Sequence, residues 1–170
     1  MSSIILIGFM GAGKTTTGTI LAEMTGLPFA DTDQLIEQRA GMSISEIFAE
    51  QGEEAFRKQE TELLLALLKE KQEQILSCGG GLPLREENRA LLKQLGTVVH
   101  LSVQPETVQK RLKGDTTRPL LQGEDAEEKI RTLLGKREDL YEAAADIVLP
   151  VDALTPEAAA EQICRAAAKK

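Results

Sequence analysis

Gly8-Phe9-Met10-Gly11-Ala12-Gly13-Lys14-Thr15 has the spacing G-x-x-x-x-G-K-[ST], and the apolar run Ser3-Ile4-Ile5-Leu6-Ile7 leads straight into it. Glycines at this spacing let a backbone curl around a phosphate with no Cβ in the way. Lys14 can then reach the β- and γ-phosphates, and the Thr15 hydroxyl is placed to ligate Mg2+. The flanking pattern supplies what such a loop needs: a buried strand before it, and a helix after it (16–25) whose free N–H groups point at the ligand. The chain is expected to bind a nucleoside triphosphate.

A γ-phosphate and its metal need an acid nearby, and Phe29-Ala30-Asp31-Thr32-Asp33 ends a second apolar run. Carboxylates at i and i+2 can divide the labour, one orienting the metal through water and the other accepting a proton from an incoming hydroxyl. Asp33 also opens a helical pattern, where an aspartate serves equally as an N-cap. Arg57 has Glu53 at i−4 and Glu60 at i+3, the spacing of a solvated salt-bridge face. Ser77-Cys78-Gly79-Gly80-Gly81 ends a third run in bare backbone, able to approach a ligand closely or to serve as a flexible exit turn. Arg118 and Arg137 are placed to reach a γ-phosphate and an anionic acceptor respectively, although each alone reads as a surface charge.

The elements that must hold these residues alternate along the chain. Strands are expected near 3–7, 27–30, 74–78, 97–101 and 146–149. Helices are expected at about 14–25, 33–40, 44–50, 53–71, 85–95, 104–112, 125–142 and 156–168. Strands this short and uniformly apolar suit a parallel sheet covered on both faces, within a three-layer α/β domain spanning 1–170. Ligands in such sheets sit beyond the carboxyl ends of the strands, where the residues above fall. Two segments break the alternation: 33–71 as an acceptor-binding insert, and the polar, glycine-flanked 113–124 as a lid.

Composition narrows the classes. Lys and Arg number 20 against 27 Asp and Glu, and the net charge of −7 argues against non-specific nucleic-acid binding. The longest unbroken apolar run, 63–68, is far too short for a bilayer. Cys78 and Cys164 are too few for a disulfide framework and lack metal-ligand spacing, which reads as reduced thiols in a cytoplasmic protein. His100 is the only histidine, so catalysis built on several histidines is excluded, and its place after Val98-Val99 suits a structural role. The only asparagine, Asn88, stands in Glu87-Asn88-Arg89, so no Asn-Lys-x-Asp motif exists for a guanine-specific switch. A monomer is expected, because no apolar helix face is left over once the core is assigned.

Gly11-Ala12-Gly13-Lys14-Thr15-Thr16, Asp31-Thr32-Asp33, Phe56-Arg57 with Glu60, Gly79-Gly80-Gly81, Arg118-Pro119-Leu120-Leu121 and Arg137 with Leu140-Tyr141 follow in one order. This series resembles the shikimate kinases, from about residue 4 to the C-terminal helix. The phosphate loop is shared by many nucleotide-binding families; the rest of the series is much more specific. The resemblance implies a P-loop kinase fold with a five-stranded parallel sheet, akin to the nucleoside monophosphate kinases. It also implies transfer of the γ-phosphoryl of ATP to the 3-hydroxyl of shikimate, with Mg2+, in aromatic amino acid biosynthesis. On the same ground Asp33, Arg57, Arg137 and the backbone of Gly79, Gly80 and Gly81 would bind shikimate. Gly11, Ala12, Gly13, Lys14, Thr15, Thr16, Arg111 and Arg118 would bind ATP, with Arg111 against the adenine and Arg118 closing over the phosphates. Residues 150–154 would complete the adenine pocket. Thr15 would hold the Mg2+ directly and Asp31 through water, while Asp33, Lys14 and Arg118 would carry catalysis. The nearest rival is another small kinase of this class, acting on gluconate or a nucleoside monophosphate; no base-recognition surface is visible for the latter.

Overall fold

The structure, a computed structural model, describes residues 3–112 and 126–168; the expected lid, 113–124, and Arg118 within it lie outside the described residues. Strand β1 (Ser3–Ile7) is buried at every position, because a run without polar alternation has no face to give to water. With β2 (Phe29–Asp31), β3 (Ile75–Ser77), β4 (Gly96–Ser102) and β5 (Ile147–Pro150) it forms one sheet, in the order β2-β3-β1-β4-β5. All pairings are parallel; Ile4 registers on Ile75 of β3 and on Thr97 of β4. Complete burial of each central Ile or Leu is worth roughly 1.5–3 kcal/mol.

The expectation of strands covered on both faces holds for β1, β3 and the middle of β4. It fails at the edges. β2 is half-buried throughout, and β5 alternates half-buried with exposed positions, leaving Val148 46% exposed. An edge strand has a neighbour on one side only, and a short apolar run reads the same in either place.

Helices fill the crossovers. α1 (Lys14–Thr25) follows β1, and α2 (Thr32–Ala40), α3 (Ile44–Gln51) and α4 (Glu53–Glu70) make up the insert between β2 and β3. α5 (Glu86–Leu95), α6 (Pro105–Leu112), α7 (Ala126–Ala144) and α8 (Pro156–Ala168) complete the set. α1 packs on α8, while α5 packs on α4 and α7, and the sheet lies between the two groups. No helix among the described residues is long and apolar enough to cross a membrane.

Two local features depart from the expected pattern. Asp31, not Asp33, caps α2: its Oδ1 accepts the N–H of Asp33 at 2.9 Å and of Gln34 at 3.3 Å. Asp31 still has extended backbone, so the strand runs one residue past its apolar stretch and the cap falls there. The Asp33 carboxylate is thereby left free of capping. Leu82–Leu84 forms a short 3-10 turn where no element was expected. Pro83 suits a first turn because its missing N–H would be unpaired anyway.

β1 lies between β3 and β4, so the chain leaves it toward β2 on one side and returns to β4 on the other. A crevice opens at such a switch point. The loop after β1, Asp31 at the end of β2 and the glycines after β3 share that edge.

Candidate functional site

Gly13 starts α1 at φ 86°, a left-handed conformation that a side chain would strain, and brings no capping side chain. Thr17 N–H makes the first bond back, to Gly13 O at 2.9 Å, leaving the Thr15 and Thr16 N–H groups directed out of the helix end. Lys14 Nζ donates to the carbonyls of Gly8 at 2.7 Å and Phe9 at 3.1 Å, which stretches the side chain across the loop. Arg111, on the last turn of α6, donates to Gly11 O at 2.8 Å and clasps the loop from outside.

A cavity of about 500 Å³ opens from this loop toward Asp33, Arg57, Arg137 and the glycines 79–81. Asp33 is partly buried; burial and the neighbouring Asp31 raise its pKa, against the opposing pull of Lys14. A Cβ on Gly79 would stand 2.6 Å from Asp33 Oδ1, and one on Gly81 would run into the Arg57 guanidinium. A Cβ on Gly80 would come within 3.3 Å of Arg137 Nη1. The three glycines therefore keep open the space on which one carboxylate and two guanidinium groups converge. Arg137 also lies 5.7 Å from the centre of the Phe9 ring, and among the described residues its buried Nε has no partner.

The Gly79 N–H is already committed, donating to Thr32 Oγ1 at 2.9 Å. Among the described residues the N–H groups of Gly80 and Gly81 have no acceptor. Of the three glycines, then, two offer donors.

The bland alternative for Arg57, a solvated salt-bridge face, does not describe its pairing with Glu60. Glu53 is exposed, but Glu60 is completely buried and its Oε1 accepts from Arg57 Nη1 at 2.8 Å. Burial pushes the Glu60 pKa up to about 7, with Arg57 pulling the other way, and among the described residues Oε2 has no partner. The i,i+3 spacing was visible in the sequence, but the direction in which α4 turns that face was not. Phe56 on the same helix stacks at 5.0 Å on Phe48, which gives this end of the cavity an apolar wall.

A second cavity of about 350 Å³ lies behind the loop, between Arg111 and the stretch Val151, Leu154 and Thr155. Asp152 pins that stretch to the start of α6, its Oδ1 accepting from Gln104 N–H at 2.8 Å and from the Thr107 hydroxyl. Nothing in the sequence singled out Asp152. Nor was any role read for Thr32 and Tyr141, although both stood in the quoted series.

His100 is buried against the Tyr141 ring, 5.1 Å between centroids, and burial together with Lys14 lowers its pKa to about 4, so it packs as a neutral ring. Cys78 lines the large cavity, but burial drives its pKa far up and it stays a thiol. Among the described residues no group of three or more His, Cys, Asp or Glu could cage a metal. The Thr15 hydroxyl and the second oxygen of Asp31 suit a hard cation that takes most of its ligands from phosphate and water.

A sequence profile described as shikimate kinase matches residues 10–168. A shikimate kinase of Thermodesulfovibrio yellowstonii is 46% identical over 165 residues, which cover 97% of this chain and 94% of that protein. One from Histophilus somni is 46% identical over 162 residues, covering 95% and 92%. Among solved structures, the shikimate kinase from Acinetobacter baumannii in complex with shikimate superposes with a TM-score of 0.90 at 38% identity, covering 99% of this chain and 94% of that one. A deoxyadenosine kinase from M. mycoides, at 17% identity and a TM-score of 0.61, shares the fold. By profile, sequence and structure alike, the chain belongs to the shikimate kinase family.

Proposed function

We propose that the chain moves the γ-phosphoryl of ATP to the 3-hydroxyl of shikimate, giving ADP and shikimate 3-phosphate, and that the residues converging on the large cavity do this work. One observation carries the reading: Asp33, Arg57, Arg137 and two unpaired glycine N–H groups meet at one end of a cavity whose other end is the phosphate loop. Shikimate is a small ring with one carboxylate and three hydroxyls. Two arginines suit the carboxylate, through charge-assisted and partly bidentate bonds. Asp33 and the N–H groups of Gly80 and Gly81 suit the hydroxyls. The adenine falls to the smaller cavity, beside Arg111 and residues 150–154. Two unpaired cysteines accord with a reducing, cytoplasmic setting.

Phosphoryl transfer through a loose transition state asks the protein for in-line placement and for charge against the transferring oxygens. Lys14 and the N–H groups at the start of α1 supply that charge. Thr15 would hold a Mg2+ ion directly and Asp31 through water, and the ion would supply further positive charge against the phosphates. Asp33 orients the hydroxyl and takes its proton late in the transfer. Glu60 holds the Arg57 guanidinium in place for the acceptor carboxylate.

Phosphorus NMR of the reaction tests both the product and the base. The expected product is a phosphomonoester coupled to the ring proton H3, forming about a hundredfold more slowly in Asp33→Asn. Coupling to H4 or H5, or phosphate released only as the inorganic ion, would contradict the proposal, and unchanged turnover in Asp33→Asn would remove the base role.

A further inference from the structure

The Gly79, Gly80 and Gly81 run has no side chain to restrict it, so its peptide units are easily turned over. It is nevertheless held from three elements. Thr32 at the start of α2 accepts the Gly79 N–H, and Asn88 Nδ2 on α5 donates to Leu82 O at 2.9 Å. The middle peptide is held by Tyr141, whose hydroxyl donates to Gly80 O at 2.7 Å.

We propose that Tyr141 is a positioning residue for acceptor recognition: by fixing Gly80 O it sets the Gly80–Gly81 peptide plane and aims the Gly81 N–H. A peptide unit is planar and trans, so its C=O and N–H point in opposite directions. With the carbonyl drawn toward Tyr141, the Gly81 N–H points away from it, and Gly81 lines the cavity with that N–H unpaired. If the peptide flipped, a carbonyl oxygen would replace the donor and face a hydroxyl or carboxylate oxygen of the acceptor. Tyr141 suits the task because it cannot move. It is completely buried, backed by the His100 ring, and sits one turn beyond Arg137 on the same face of α7. One helix thus delivers both a cation for the acceptor and the hydroxyl that orients the backbone donor. The inference rests on the placement of shikimate against the glycine loop.

The test uses Tyr141→Phe in the full chain, which keeps the ring and removes only the hydroxyl. The hydroxyl also faces the Arg137 guanidinium, so the variant loosens both the Gly80 carbonyl and Arg137. Its KM for shikimate should rise about fivefold to tenfold while the KM for ATP stays within about twofold, and the Gly81 amide, not KM alone, reads the peptide plane. A merely structural role would lower the melting temperature and leave the KM for shikimate alone, and that result overturns the proposal. Amide NMR separates the two layers. In the wild type, shikimate should shift the Gly81 resonance, and in Tyr141→Phe the shift at saturation should be smaller. A Gly81 resonance that ignores shikimate in the wild type would sink the acceptor placement and this inference with it. A shifted Gly81 alongside an unchanged KM in Tyr141→Phe would remove Tyr141 and leave the acceptor placement standing.

Discussion

At the scale of single residues, the site depends on ionisable groups held in places that disfavour their charge. Glu60 is the sharpest case, a buried carboxylate whose pKa rises to about 7 although Arg57 is bonded to it. A carboxyl with a raised folded-state pKa keeps its proton after the unfolded chain has lost it. Stability therefore falls as pH rises from the ordinary value of 4.5 to about 7. His100 works in the opposite sense: its pKa drops to about 4 from 6.5, so stability rises with pH across that interval. The two slopes largely cancel in the wild type, and the difference between variants separates them. Denaturant unfolding of wild type and Glu60→Gln across this range should show the wild type losing, relative to the variant, on the order of 2–3 kcal/mol between pH 4.5 and 7. A pH-independent difference would mean that Glu60 titrates alike in the folded and unfolded chain. Little of this could be read in advance. Spacing paired Glu60 with Arg57, but a solvated pair and a buried one have the same spacing, and only tertiary packing distinguishes them.

At the scale of elements, periodicity told far more. Bounds of strands and helices were legible to within about two residues, because each apolar run and each helical stripe must find the core. What escaped is where local geometry outranks period: the cap at Asp31 rather than Asp33, the turn at Leu82–Leu84, and the exposed face of β5. The turn matters because it joins the glycine loop to α4 and α5. Asn88 is completely buried there, donating to Leu82 O while its Oδ1 accepts from Thr61 Oγ1 at 2.7 Å. Asn88→Ala strands the buried Leu82 carbonyl, while the Thr61 hydroxyl keeps Arg57 O as an acceptor at 3.3 Å. Unfolding by urea should therefore show a loss of roughly 1–3 kcal/mol with an unchanged slope. A loss below about 0.5 kcal/mol would mean that water takes over those bonds.

At the scale of the whole molecule, the strand order explains why residues far apart in sequence can cooperate. Three parallel strands end side by side, bringing the phosphate loop, Asp31 with Asp33 and the glycine run to one edge; α4 and α7 then reach over with Arg57 and Arg137. The two cavities meet at the phosphate loop, and under the proposed function the nucleotide and the acceptor would reach it from opposite sides. On that reading, fast phosphoryl transfer is expected only when both are present. The most direct test is ADP release from MgATP by the purified protein, with and without shikimate, with quinate and gluconate as controls. The expected result is release stimulated by shikimate and not by either control, and lowered about a hundredfold or more in Lys14→Ala, which lacks charge at the transferring oxygens. Tight ATP binding with no stimulation by shikimate would contradict the account, leaving a nucleotide site without the acceptor it is built around.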